Sequence, residues 1–244
     1  MAHGVDTTVV EIDPVVHQFA SKYFLLPENH TAVIEDAVSY TSRTAIESPA
    51  KFDYIVHDVF TGGAEPIPLF TLEFLQNLNA LLKPEGVIAI VSQPHDLSRS
   101  HITHKKPFKN YAGDFTLPPP MVVVQTIRQV FPSCRIFREH PRDEEQVKKH
   151  GSDFANMVIF CTKLAGREVS FRQPNARDLL NSPSREAFLM PKHEVKDVDF
   201  TVGRDEGILT SNDTAKLAKW HEKSALGHWA VMRTVLPPAV WENW

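Results

Sequence analysis

Hydrophobic and polar positions switch between two periods along the first two thirds of the chain. Val5–Ile12 reads as a strand, in which the β-formers Thr7-Thr8-Val9-Val10 run into the acidic Glu11. Pro14 follows, at a first helical turn, where its missing N–H costs nothing. Val16, Phe19, Ala20, Tyr23 and Phe24 then recur at helical spacing, which predicts a helix over Val15–Phe24. Ala32–Glu35 reads as a short strand, and Val38 to Ile46 as a helix. Lys51–Phe60 is apolar enough to predict a strand buried on both faces. Thr71–Leu82 is an amphipathic helix that Lys83-Pro84-Glu85-Gly86 should stop, and Val87–Val91 is a fourth strand.

Strand and helix alternating at this interval argue for an α/β fold with a parallel sheet and right-handed crossovers. Such sheets bind ligands beyond the C-terminal ends of their strands. Glu11, Asp36 and Asp58 each fall at the end of a different strand, so they line one edge. Two readings are open: a carboxylate cluster that holds a nucleoside, or three separate helix caps and turn residues.

Beyond Lys109 the pattern predicts a helix over Met121–Phe131 and two antiparallel strands, Cys134–Arg138 and Ala155–Thr162, with Arg142–Ser152 as an exposed turn between them. Arg167–Asp205 is polar and irregular, the signature of an extended or partly disordered arm. Helical periodicity returns over Thr214–Leu236, and all four tryptophans lie from Trp220 onward. Core packing is favoured over ligand stacking for so aromatic a helix.

The net charge of −4 gives no reason to expect nucleic acid or an anionic membrane as a partner. The two cysteines, Cys134 and Cys161, sit in apolar runs and read as buried free thiols of a reducing compartment. No run has membrane-spanning length and no signal peptide precedes Val5, so a soluble cytoplasmic protein is expected, with no membrane in this chain.

Val9-Val10-Glu11-Ile12-Asp13-Pro14, Tyr23-Phe24, Glu35-Asp36-Ala37, Phe52-Asp53-Tyr54-Ile55, Asp58, Pro66, Glu73-Phe74 and Pro84-Glu85-Gly86-Val87 occur in an order and spacing that resembles the spermidine synthase-like branch of class I S-adenosylmethionine-dependent transferases. The resemblance covers roughly residues 4–91 and resumes over about 110–162. Gly207-Ile208-Leu209-Thr210 also resembles a late family segment, with Ser211 where Asp is usual.

The resemblance implies a Rossmann-like sheet in residues 1–164, and an arm with a C-terminal helical appendage in 165–244. It also implies S-adenosylmethionine, or its decarboxylated form, as cofactor and a small molecule as acceptor, and leaves a homodimer open. Glu11 would hold the ribose, Asp36 and Ala37 would flank the adenine, and Asp58 would be the catalytic carboxylate. No metal ligands are implied. Polyamine-forming members carry a second acid three residues after that Asp, but this chain has Thr61 there. A diamine would lose an anionic anchor, and an unpaired cation in a closed site is expensive. Methyl transfer is therefore favoured over aminopropyl transfer. A catalytically incomplete remnant is a further reading, and a nicotinamide enzyme a weaker one.

Two departures from the family pattern stand out. Its glycine loop and first strand should precede Val5, and only Met1-Ala2-His3-Gly4 do, so a truncated sheet is expected. Val91–Lys109 interrupts an otherwise continuous family run. Val91-Ser92 can be encoded by GTGAGT and Lys109 by a codon ending in AG, so a retained intron is one reading. An ordinary surface insertion, or a metal site using His101 and His104, are the others.

Overall fold

The computed structural model describes residues 5–59 (apart from 25 and 27–29), 66–92, and 114–220 (apart from 152, 154, 201 and 219). The proposed insertion beyond Ser92, the histidines within it, Thr61 and the chain after Trp220 lie outside the described residues.

β1 (Thr8–Glu11), α1 (Pro14–Tyr23), β2 (Thr31–Ile34), α2 (Ala37–Glu47), β3 (Phe52–Asp58), α3 (Leu72–Leu81) and β4 (Leu82–Ser92) form the alternating first half. α4 (Pro118–Val130), β5 (Ser133–Arg138), α5 (Glu144–His150) and β6 (Met157–Thr162) follow. Short helices α6 (Ala176–Leu179) and α7 (Pro183–Phe188) lead to β7 (His193–Val195). The architecture is Rossmann-like α/β.

The strands form two sheets. β1 and β2 pair in parallel, from Thr8 opposite Thr31 to Glu11 opposite Ile34. The second sheet has the order β3-β4-β6-β5-β7. β3 and β4 are parallel, and the remaining pairs are antiparallel. The sheet is thus divided between β1 and β3, where the family resemblance implies a missing strand.

Side chains of α3 and α4 pack on the five-stranded sheet to make the core. Leu75, Ile88, Val122, Ile127 and Phe131 are fully buried in it. Residues from the late arm share this core: Val195, Phe200, Leu209 and Leu217 belong to the same cluster. Leu209 is held by its backbone, accepting from the Leu72 amide at 2.8 Å and donating to Thr126 Oγ1 at 2.8 Å. By contrast, α1 contributes no buried residue.

Several expectations are corrected. Lys83–Gly86 lies within β4 and not in a loop, because the strand starts directly after α3 and absorbs the excess as a bulge: Phe52 pairs with Leu82, but Tyr54 pairs with Val87. Gly86 is required there, since a Cβ would come 2.9 Å from Leu82 Cδ2 and 3.0 Å from the Lys83 carbonyl. The segment expected as a turn after Arg142 contains α5, whose Glu144 and Glu145 in the first turn and Lys148 and Lys149 in the last complement the helix dipole. α4 starts at Pro118 because prolines fit a first helical turn. The arm is not merely draped on the surface: β7 extends the sheet, and Arg135 grips Glu194 through two hydrogen bonds of 2.7 and 3.0 Å.

The cysteines are not free thiols. Cys134 and Cys161 face each other across the β5–β6 pair and form a disulfide. Their separation of 27 residues hid the pairing, which appears only once the antiparallel register is set.

β3 is not buried on both faces. Ile55 and His57 point toward α3, but Tyr54 and Val56 are 73% and 68% exposed.

Candidate active site at the C-terminal strand ends

The three carboxylates singled out by sequence do fall at strand ends. Glu11 closes β1, Asp36 follows β2, and Asp58 closes β3. Local chemistry explains each placement. Glu11 Oε1 accepts the Asp13 amide at 2.9 Å, and Asp13 in turn caps α1 by accepting from the Val15 amide at 2.7 Å. Asp36 caps α2, with Oδ2 accepting the Ser39 amide at 2.9 Å and the Ser39 hydroxyl at 3.0 Å. The capping reading therefore holds for Asp36, and a turn role for Glu11. Each of those bonds uses one oxygen of its carboxylate, so a nucleoside role is compatible with both. Asp58 is exposed at the end of β3, where it pairs in register with Val91.

A cavity of about 200 Å³ runs along β3 from Phe52 to Val59. Thr8 and Val10 of β1 form its opposite wall, and Ala37 and Tyr40 of α2 its side. Asp58 and Ala37 thus share one cavity; Glu11 and Asp36 lie outside its lining.

His57, one residue before Asp58, was not anticipated. It is buried at 6% exposure and lies edge-on to Phe70 and Phe74, with centroids 5.0 and 5.8 Å away. Neither ring nitrogen has a well-formed hydrogen bond among the described residues, although the Leu69 carbonyl approaches. Burial lowers its pKa to about 4, so the ring is neutral at pH 7. A histidine within an otherwise apolar strand run was the available signal.

Among the described residues, no group of three or more His, Cys, Asp or Glu could hold a metal ion. No helix among them is long and apolar enough to cross a membrane.

Residues 3–144 match the spermine/spermidine synthase domain, and the chain belongs to that family. It is 47% identical over 253 residues, spanning all of this chain, to the N-terminal histidine N-methyltransferase of Emericella nidulans. It is 33% identical over 109 residues to the polyamine aminopropyltransferase of Vibrio vulnificus, across 44% of this chain. The chain spans only 41% and 36% of the lengths of these two relatives. Among solved structures, a probable spermidine synthase from Corynebacterium glutamicum superposes with a TM-score of 0.52 at 16% identity, over 84% of this chain and 63% of that one, a likeness of fold.

Proposed function

We propose that this chain is the catalytic domain of an S-adenosylmethionine-dependent N-methyltransferase whose acceptor is the N-terminal histidine of a polypeptide. The observation that carries this reading is the 47% identity to a protein of that description along the entire chain. Thr61, in place of a second acid, adds to it by weakening the case for a diamine acceptor.

The residues present fit the nucleoside part of the cofactor. Glu11 and Asp36 supply carboxylate acceptors at adjoining strand ends, and Ala37 supplies a small apolar wall. When bound, S-adenosylmethionine provides an activated methyl group on sulfur. Asp58 has a different task. A protonated amine or imidazolium nitrogen has no lone pair with which to attack the methyl carbon, so its proton must leave first. A carboxylate at the cavity rim can bind the cationic form, orient it and take that proton. The polypeptide acceptor replaces the small molecule expected from sequence. The disulfide withdraws the free-thiol argument for a cytoplasmic location.

The test offers two cofactor–acceptor pairs to the full natural protein that contains this chain. S-adenosylmethionine with a peptide beginning in His should give a product heavier by one methyl group on the first residue. Decarboxylated S-adenosylmethionine with putrescine should give nothing. Spermidine formation would instead establish the aminopropyl reading.

A further inference from the structure

We propose that Asn212 is an N-glycosylation site and that this domain matures in the oxidising lumen of a secretory pathway. The inference goes beyond the proposed methyl transfer and does not depend on it.

The sequence supplies the acceptor triplet. Asn212-Asp213-Thr214 has the form Asn-x-Thr, with no proline between the two ends. That form is what an oligosaccharyltransferase accepts. Asn29-His30-Thr31 has it too, but Asn29 lies outside the described residues. Such triplets arise readily by chance. A usable site also needs an exposed asparagine whose side chain has no other task, because the glycan is bulky and belongs on the surface.

The fold meets that need at Asn212. Ser211 and Asn212 are the central residues of a turn, closed by the Asp213 amide donating to the Thr210 carbonyl at 3.1 Å. Both flanks of the turn are fixed. The Ser211 amide donates to Glu73 Oε2 at 2.9 Å, Leu209 is fully buried, and Lys216 pairs with Asp213 Oδ2 at 2.8 Å. Residues 211–213 are nevertheless exposed. Among the described residues, the side chains of Asn212 and Thr214 make no hydrogen bond. A glycan on Asn212 therefore breaks no native bond and stays in water.

The disulfide points independently to the same compartment. Cys134 and Cys161 are bonded across the β5–β6 pair, and Cys161 is fully buried, so the bond belongs to the core and is not an exposed redox pair. Structural disulfides persist in the lumen of the secretory pathway, whereas cytosolic reductants keep thiols open. N-glycans are added in that same lumen. In the transfer, the Asn212 side-chain nitrogen bonds to the anomeric carbon of an oligosaccharide carried on a lipid diphosphate. The bond from that carbon to the diphosphate oxygen breaks. The amide nitrogen gives up one proton, and the proton and the lipid diphosphate leave. A host oligosaccharyltransferase, not this chain, performs the step.

The test expresses the full natural protein that contains this chain in a yeast, whose secretory pathway attaches N-glycans. The denatured protein is treated with peptide-N-glycosidase in heavy-oxygen water. A glycosylated asparagine then becomes an aspartate carrying one heavy oxygen, which mass spectrometry of the peptides reads. Wild type should carry that label at position 212. Thr214→Ser should keep the label, Thr214→Ala should lose it, and Asn212→Gln should run faster on a gel by one glycan. Denaturation before digestion makes the reading independent of how well a variant folds. Wild-type peptides with Asn212 unmodified, whatever is found at Asn29, would overturn the proposal. So would cysteines that alkylate in the freshly isolated protein without prior reduction, since an oxidising lumen would have closed the disulfide. None of these readings depends on methyl transfer.

Discussion

Replacing His57 by Phe should change the acid sensitivity of the fold by a calculable amount. The imidazole has a folded-state pKa of about 4 because burial disfavours its charged form. In the unfolded chain it returns to about 6.5. As pH falls below that value, the unfolded chain gains a proton that the folded chain refuses. Wild-type stability is thus drained progressively between pH 6.5 and pH 4 by this residue. Linkage puts the loss between pH 7 and pH 5 at about 2 kcal/mol. Phenylalanine cannot titrate, so the variant escapes this loss while other groups titrate equally in both proteins. At pH 7 the variant should be no less stable than wild type, since it removes a buried polar ring lacking a well-formed hydrogen bond and keeps the contacts with Phe70 and Phe74. Urea unfolding of both proteins at pH 7 and pH 5 is the assay, with His57→Leu as a second variant should Phe not fit. A wild-type-to-variant difference that stays constant within about half a kcal/mol between the two pH values would refute the burial argument.

Three other perturbations test separate parts of the structure. Arg138 and Asp153 form a buried pair, with hydrogen bonds of 2.6 and 3.1 Å, so Arg138→Ala should cost about 3 kcal/mol in urea unfolding, because it removes both bonds and leaves the carboxylate to the longer ion pair with Arg142 at 3.9 Å. Reduction of the Cys134–Cys161 disulfide, which closes a span of 27 residues, should cost about 3.5 kcal/mol on a chain-entropy basis, read as a shift of the unfolding midpoint in dithiothreitol. Asp36→Ser keeps an oxygen to cap α2, so stability should move by only a few tenths of a kcal/mol; S-adenosylmethionine binding, followed by calorimetry, should nevertheless weaken if the carboxylate also holds the nucleoside.

The sequence was most legible where one physical rule dominated. Pro14 after a β-branched run marked the β1–α1 junction, and the three strand-end acids followed from the alternation alone. The rule failed where tertiary partners decide. Lys83-Pro84-Glu85-Gly86 has loop composition, yet pairing with β3 draws it into β4 as a bulge. The apolar run of β3 suggested burial on both faces, but one face lacks a covering layer among the described residues, leaving Tyr54 and Val56 in solvent. The disulfide could not be read from two isolated cysteines, because it depends on the β5–β6 register. His57 escaped notice because neighbouring Asp58 carried the recognisable chemistry.

The role of Asp58 is where the proposed mechanism is most exposed. Single-turnover methyl transfer to a peptide beginning in His should be measured for the full natural protein and for its Asp58→Asn variant, with S-adenosylmethionine binding measured alongside. Loss of the group that takes the proton should slow transfer by about 10²–10⁴-fold while leaving binding unchanged. Transfer within about threefold of wild type would contradict the assignment, because a true general base cannot be removed at so small a cost.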